Sequence, residues 1–151
     1  MRLEILPKMQ FAFLYEINDD GQKRAHERLD QFLEEKGLNP SQTKHYFYYL
    51  NMSKKNEKKI VYVLYGLVGS GLNESGEIST ISIQSGSYLV FDLSKEEKCL
   101  LASGNEEIFE SKIKNGLMTY KKTRLMDQLF ALIEEVVEDH EVGYRAYVPV
   151  K

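Results

Sequence analysis

The run His45-Tyr46-Phe47-Tyr48-Tyr49 places five rings on consecutive residues, and it constrains the fold more than any other stretch of the chain. Large rings in series suit a pleated strand, where neighbours point to opposite faces, far better than a helix. A strand is therefore expected over Thr43 to Met52. A turn containing Asn51, Lys54, Lys55, Asn56, Lys58 and Lys59 leads to Lys59–Val68 (Lys-Ile-Val-Tyr-Val-Leu-Tyr-Gly-Leu-Val), which reads as its hairpin partner. Upstream, residues 3–17 put Phe11, Phe13 and Tyr15 on one face if extended. Asn18-Asp19-Asp20-Gly21 then breaks the strand and supplies helix-capping acceptors. Ala25, Leu29, Phe32 and Leu33 form one apolar helical stripe, ended by Gly37 and Pro40. The first half thus reads β-α-β-β.

The second half echoes this order. Gly69, Gly71 and Gly76 mark a joint, and Glu77 to Leu93 alternates as one or two strands with a break at Ser85-Gly86. Ser94 with Glu97 is a capping signal for a short helix. Asn105 to Ile113 reads as another short helix, stopped by Asn115-Gly116. Leu125, Leu129, Leu132, Ile133 and Val136 predict a long amphipathic helix near 123–140, capped by Thr123. Gly143 resets the chain for a last strand, Tyr144 to Lys151, with Pro149 near its end. The expected fold is α+β: a single domain over 1–151 with pseudo-repeats at 1–68 and 77–151. Duplicated β-α-β-β units form one mainly antiparallel sheet, with long helices near 20–36 and 123–140 on one face. A cleft between the halves is the expected place for a ligand.

Several classes of function are disfavoured. The net charge is −3 with a pI near 5.7, which argues against nucleic acid as a direct partner. The lysine run at 54–59 reads as a solvated turn. Cys99 is the one cysteine, so no internal disulfide forms, and it reads as a small buried or half-buried thiol rather than a nucleophile. The opening Met-Arg-Leu-Glu is no secretion signal and no apolar run reaches bilayer length, so a cytoplasmic protein without membrane contact is expected. His26, His45 and His140 lack metal-ligand spacing, so neither a metal nor another cofactor is expected. His26 is placed on the polar side of the first helix and His140 at the end of the last. Gly66-Leu-Val-Gly69-Ser-Gly71 fits no phosphate loop, and no nucleophile motif is present. Glu134, Glu135, Glu138, Asp139 and Glu141 read as the solvated face of the last helix.

Ten tyrosines and seven phenylalanines, with no tryptophan, make up 11% of the chain. Tyrosine suits half-buried sheet positions in general. One helix layer covers only one sheet face, however, so rings on the other face need a further role, and stacking on a flat organic molecule is the leading one.

Three stretches carry a resemblance to the GyrI-like effector-binding family, the ligand domains of multidrug-responsive and AraC-type bacterial regulators, which also occur alone. Tyr49-Leu50-Asn51 with Val61-Tyr62-Val63-Leu64-Tyr65 looks like the family's central hairpin. Ser85-Gly86-Ser87-Tyr88-Leu89-Val90-Phe91 looks like its Gly-x-Tyr-x-x-Phe strand. Arg145-Ala146-Tyr147-Val148-Pro149-Val150-Lys151 looks like its closing strand. The resemblance implies a bacterial small-molecule-binding domain of the transcription-regulation type, taking a lipophilic or aromatic ligand. It is expected to stand alone, since no helix-turn-helix segment precedes it. Tyr62, Tyr88, Phe91 and Tyr147 are the implied ligand contacts, with Tyr48 and Tyr15 as further candidates. Arg145 and Val63 stand where the family often has acids, which implies that neutral or anionic aromatics bind at least as well as cations. Two alternatives go with this reading. One is hydrolysis of a hydrophobic electrophile by Glu77 or Asp92 with Tyr88. The other is a gyrase-inhibitor-like module that binds a protein partner through an acidic face.

Overall fold

The computed structural model describes residues 1–17, 21–51, 59–68, 78–125 and 131–151. The fold is α+β, and every strand pairing among the described residues is antiparallel. The chain divides into two compact units, one formed by Pro7–Gln84 and the other by Met1–Leu6 with Ser85–Lys151. The single strand expected over 3–17 is two strands, β1 (Arg2–Leu6) and β2 (Met9–Ile17), one in each unit. Pro7, which has no N–H to give to a ladder, stands at the break.

In the unit of residues 7–84, β2 is followed by α1 (Gly21–Glu35), a 3-10 turn (Pro40–Gln42), β3 (Lys44–Asn51), β4 (Lys59–Val68) and β5 (Ser79–Ile83). The strands lie in the order β5-β2-β4-β3. The apolar stripe of α1 is buried as expected at Ala25, Leu29, Phe32 and Leu33, and α1 packs on β2 and β4. Each large side chain in that stripe contributes roughly 1.5–3 kcal/mol through burial. Gly37, at φ +76°, ends the helix, and the Leu38 amide returns to the Leu33 carbonyl at 2.9 Å. Glu16, on the α1 side of β2, pairs with Arg24 at 3.6 Å and Arg28 at 3.5 Å. Gly66 is required by close approach: a Cβ there would lie 2.8 Å from Met9 Cε and 2.9 Å from Phe11 Cε1.

In the other unit, β1 and β6 (Gly86–Leu93) are joined by α2 (Lys95–Ala102), α3 (Glu107–Tyr120), β7 (Leu132–Glu138) and β8 (Glu141–Val150), in the strand order β1-β6-β8-β7. The predicted strand break at Ser85-Gly86 is present. Ser94 and Glu97 form the predicted capping box, with the Glu97 amide donating to Ser94 Oγ at 3.1 Å and the Ser94 amide to Glu97 Oε1 at 3.0 Å. The helix expected to stop at Asn115-Gly116 instead runs to Tyr120. Gly116 lets α3 approach the sheet, since a Cβ there would meet Leu89 Cδ2 at 2.5 Å and Met1 Sδ at 2.7 Å.

The long helix expected near 123–140 is not formed. Leu132–Glu138 is strand β7, and the second long helix of the fold is α3 instead. Leu129 of the predicted stripe lies outside the described residues. Gly143 does not reset the chain either, because β8 starts at Glu141 and runs straight through it. Asp139 and His140 form a two-residue hairpin loop between the paired Glu138 and Glu141, with φ of 49° and 67°. This is the mirror-image turn that suits the strand twist, built here without glycine. Left-handed backbone is costly for a residue with a Cβ. Combining Asp139→Asn with His140→Gly should therefore raise stability by roughly 0.5–1 kcal/mol. Urea unfolding would check this, and a lower midpoint would contradict the turn assignment.

Among the described residues, no helix is long and apolar enough to cross a membrane.

Candidate functional site

Strand parity sorts the six candidate rings. In the unit of residues 7–84, the α1 side of the sheet carries Ala12, Leu14, Val61, Val63 and Tyr65, and the opposite side carries the even positions of β4 with their partners. Tyr62 is directly opposite both Tyr15 on β2 and Tyr48 on β3. These three tyrosines therefore form one row across three strands, on the face turned away from α1. The Tyr15 and Tyr62 centroids are 5.7 Å apart and tilted by 46°, and Phe13 flanks Tyr62 at 6.4 Å with the same tilt. Tyr15 is 56% exposed, while Tyr48 and Tyr62 are half-buried.

In the other unit, Tyr88 pairs with Pro149 and Val90 with Tyr147, so Tyr88 and Tyr147 share one face as diagonal neighbours. Phe91 points the other way. Its ring meets Phe109 of α3 at 5.6 Å, and it is buried beneath the helix. It is a core residue, separated from the two tyrosines by the thickness of the sheet. The spacing of three between Tyr88 and Phe91 already required opposite faces.

Tyr147 lies in a polar set. Its hydroxyl donates to Glu134 Oε2 at 3.1 Å, and Glu134 lies opposite Arg145 across the β7–β8 ladder. Arg145 Nε in turn lies 3.5 Å from Asp92 Oδ1. Burial pushes the Tyr147 hydroxyl pKa up, the Glu134 charge adds to this, and a hydrogen bond with Arg145 opposes it. Burial alone raises Tyr88. A carboxylate thus stands beside Tyr147 from β7, a stretch read as a solvated helix face. A hollow of about 220 Å³, lined by Asp92, Val136, Glu138, Glu141, Gly143 and Arg145 among others, adjoins this set, and none of the six candidate rings lines it.

Cys99, expected to be buried or half-buried, is exposed on α2. Of the two acids expected to serve hydrolysis with Tyr88, one is among the described residues. Asp92 is largely exposed and separated from Tyr88 along β6 by Val90, and Glu77 lies outside the described residues. Among the described residues, no cluster of three or more His, Cys, Asp or Glu side chains is placed to hold a metal ion.

A second polar constellation was not legible in advance. On the α1 side, the Tyr65 hydroxyl donates to Asp30 Oδ1 at 2.7 Å and lies 2.7 Å from His26 Nδ1. With the phenol O–H directed at Asp30, His26 Nδ1 donates to the phenol oxygen in the tautomer that completes the set. His45 stacks flat on the Tyr65 ring at 3.7 Å, with the planes 7° apart. Its Nε2 lies 3.0 Å from the Pro40 carbonyl and 2.9 Å from Thr43 Oγ1. His26 is therefore half-buried against the sheet and not on the polar side of α1. Its i, i+4 spacing with Asp30, beside the apolar stripe, was the available signal.

No family model matches the sequence, and no curated protein does either. Solved structures do share the fold. The crystal structure of the EcmrR C-terminal domain matches at TM-score 0.64 and 10% identity, covering 99% of this chain and 96% of that one. The cryo-EM structure of EcmrR bound to DNA matches at TM-score 0.66 and 13% identity, and this chain spans 56% of that chain's length. These likenesses agree with the GyrI-like resemblance at the level of the fold.

Proposed function

We propose that this chain is a small-molecule-binding domain of the regulator effector-binding kind, acting in the bacterial cytoplasm on lipophilic aromatic compounds. The observation that carries the reading is the placement of five of the six candidate rings. Tyr15, Tyr48, Tyr62, Tyr88 and Tyr147 all lie on sheet faces turned away from the helices of their own units. Helix packing explains the opposite faces and leaves these rings without that role. The fold shared with the EcmrR C-terminal domain supports the regulatory part of the proposal.

Screening a library of lipophilic aromatic compounds by thermal shift tests the proposal. A ligand at 100 times its Kd adds about 2.7 kcal/mol of apparent stability. For a chain of this length, that raises the melting temperature by roughly 5–10 °C. Tyr147→Ala should weaken a hit about tenfold, equivalent to about 1.4 kcal/mol. Tyr147→Phe separates loss of the ring from loss of the bond to Glu134, and Tyr120→Phe on α3 is the unaffected control. A library without hits, or hits indifferent to Tyr62, Tyr88 and Tyr147 alike, would refute the proposal.

A further inference from the structure

We infer that the ligand is an uncharged, planar aromatic compound that stacks on the Tyr15–Tyr62–Tyr48 row; this rests on the small-molecule-binding role proposed above.

The row lies on a face built almost wholly from uncharged side chains. Met9, Phe11, Phe13 and Tyr15 come from β2, Ile60, Tyr62, Leu64 and Gly66 from β4, and Tyr46 and Tyr48 from β3. Among the described residues, Lys44 is the charged residue on this face. It lies beside Gly66, at the end of the ladder remote from the tyrosine row. Rings alone attract cations weakly when exposed. Moving a cation from water onto such a face loses its hydration, and a nearby carboxylate would make up more of that loss than half-exposed rings do.

Among the described residues, β2, β3, β4 and β5 carry one carboxylate, and it points the other way. Glu16 lies on the α1 side, with Arg24 and Arg28. Among the described residues, this face thus offers a cationic ligand no carboxylate. A neutral aromatic has no such requirement and gains the full benefit of ring contact. The phenol groups of Tyr15 and Tyr62 are suited to hydrogen-bond its polar edge atoms.

Acridine, uncharged at pH 8, and N-methylacridinium, its permanent cation, form a matched pair of probes. Calorimetric titration of the full chain should give at least tenfold tighter binding of acridine. Tyr62→Ala should weaken acridine roughly tenfold and Tyr62→Phe less than twofold, with circular dichroism confirming that both variants fold. Equal or tighter binding of N-methylacridinium overturns the inference, as does acridine binding that survives Tyr62→Ala. If N-methylacridinium binds at least as tightly as acridine and Tyr147→Ala weakens it, the small-molecule role stands while the neutral-ligand inference falls. If neither probe binds and the wider library also gives no hits, both fall.

Discussion

Replacing Phe91 by alanine is expected to lower stability by roughly 3–5 kcal/mol, the cost of emptying a buried aromatic site. The ring is 4% exposed and packs on Phe109. On either side of it along β6, Leu89 and Leu93 face the same helix layer and are also buried. At about 2–4 °C per kcal/mol for a chain of this size, the melting temperature should fall by on the order of 10 °C. Affinity for any aromatic ligand, measured well below that temperature, should stay within about twofold of wild type. Tyr62→Ala should show the opposite profile, because its half-buried ring leaves less of a cavity and lies on a helix-free face. Thermal unfolding alongside titration of both variants separates the two roles. A Phe91→Ala protein that melts normally but binds poorly would place this ring at the ligand after all.

Phe91 and Tyr88 also illustrate what the sequence made legible. Strand identity came through wherever rings and β-branched residues ran together, as in β3, β4 and β6, because few other conformations accommodate them. Facing follows from parity once the strand is known, so the grouping of Tyr88 and Tyr147 was accessible and the inclusion of Phe91 with them was avoidable. The β7–β8 hairpin was harder. Leu132, Ile133 and Val136 satisfy a helical stripe as readily as a strand that is buried at one end. Its turn is Asp139-His140, not the Asn-Gly pair that would have announced a hairpin. Gly116 misled in the other direction, since a glycine that ends a helix and one that seats a helix on a leucine look alike in sequence. The Tyr65 cluster joins residues up to 39 positions apart, and only the fold brings them together.

Tyr65→Phe is expected to cost roughly 1–3 kcal/mol near neutral pH, although it removes a single oxygen. The phenol is 1% exposed and bridges Asp30 and His26, both half-buried on α1. Without it, the Asp30 carboxylate and the His26 imidazole each lose this hydrogen bond, and the ring that stacks on His45 stays in place. Burial, reinforced by the bond to Asp30 and the Asp30 charge, pushes the Tyr65 pKa well above its ordinary value of 10.0. The folded state therefore keeps this proton after the unfolded chain has released it. The sign follows: the contribution is complete below pH 10 and shrinks as pH rises, by about 1.4 kcal/mol per unit. Wild type should thus lose stability more steeply than Tyr65→Phe above pH 10, and their denaturation midpoints should converge. Tyr88 and Tyr147, also raised, keep some alkaline slope in both proteins. Urea unfolding at pH 8, 10 and 11 reads the difference directly. A gap between the two proteins that is as wide at pH 11 as at pH 8 would mean that Tyr65 ionises in the folded state as readily as in the unfolded chain. The hydroxyl would then not be a buried link between α1 and β4.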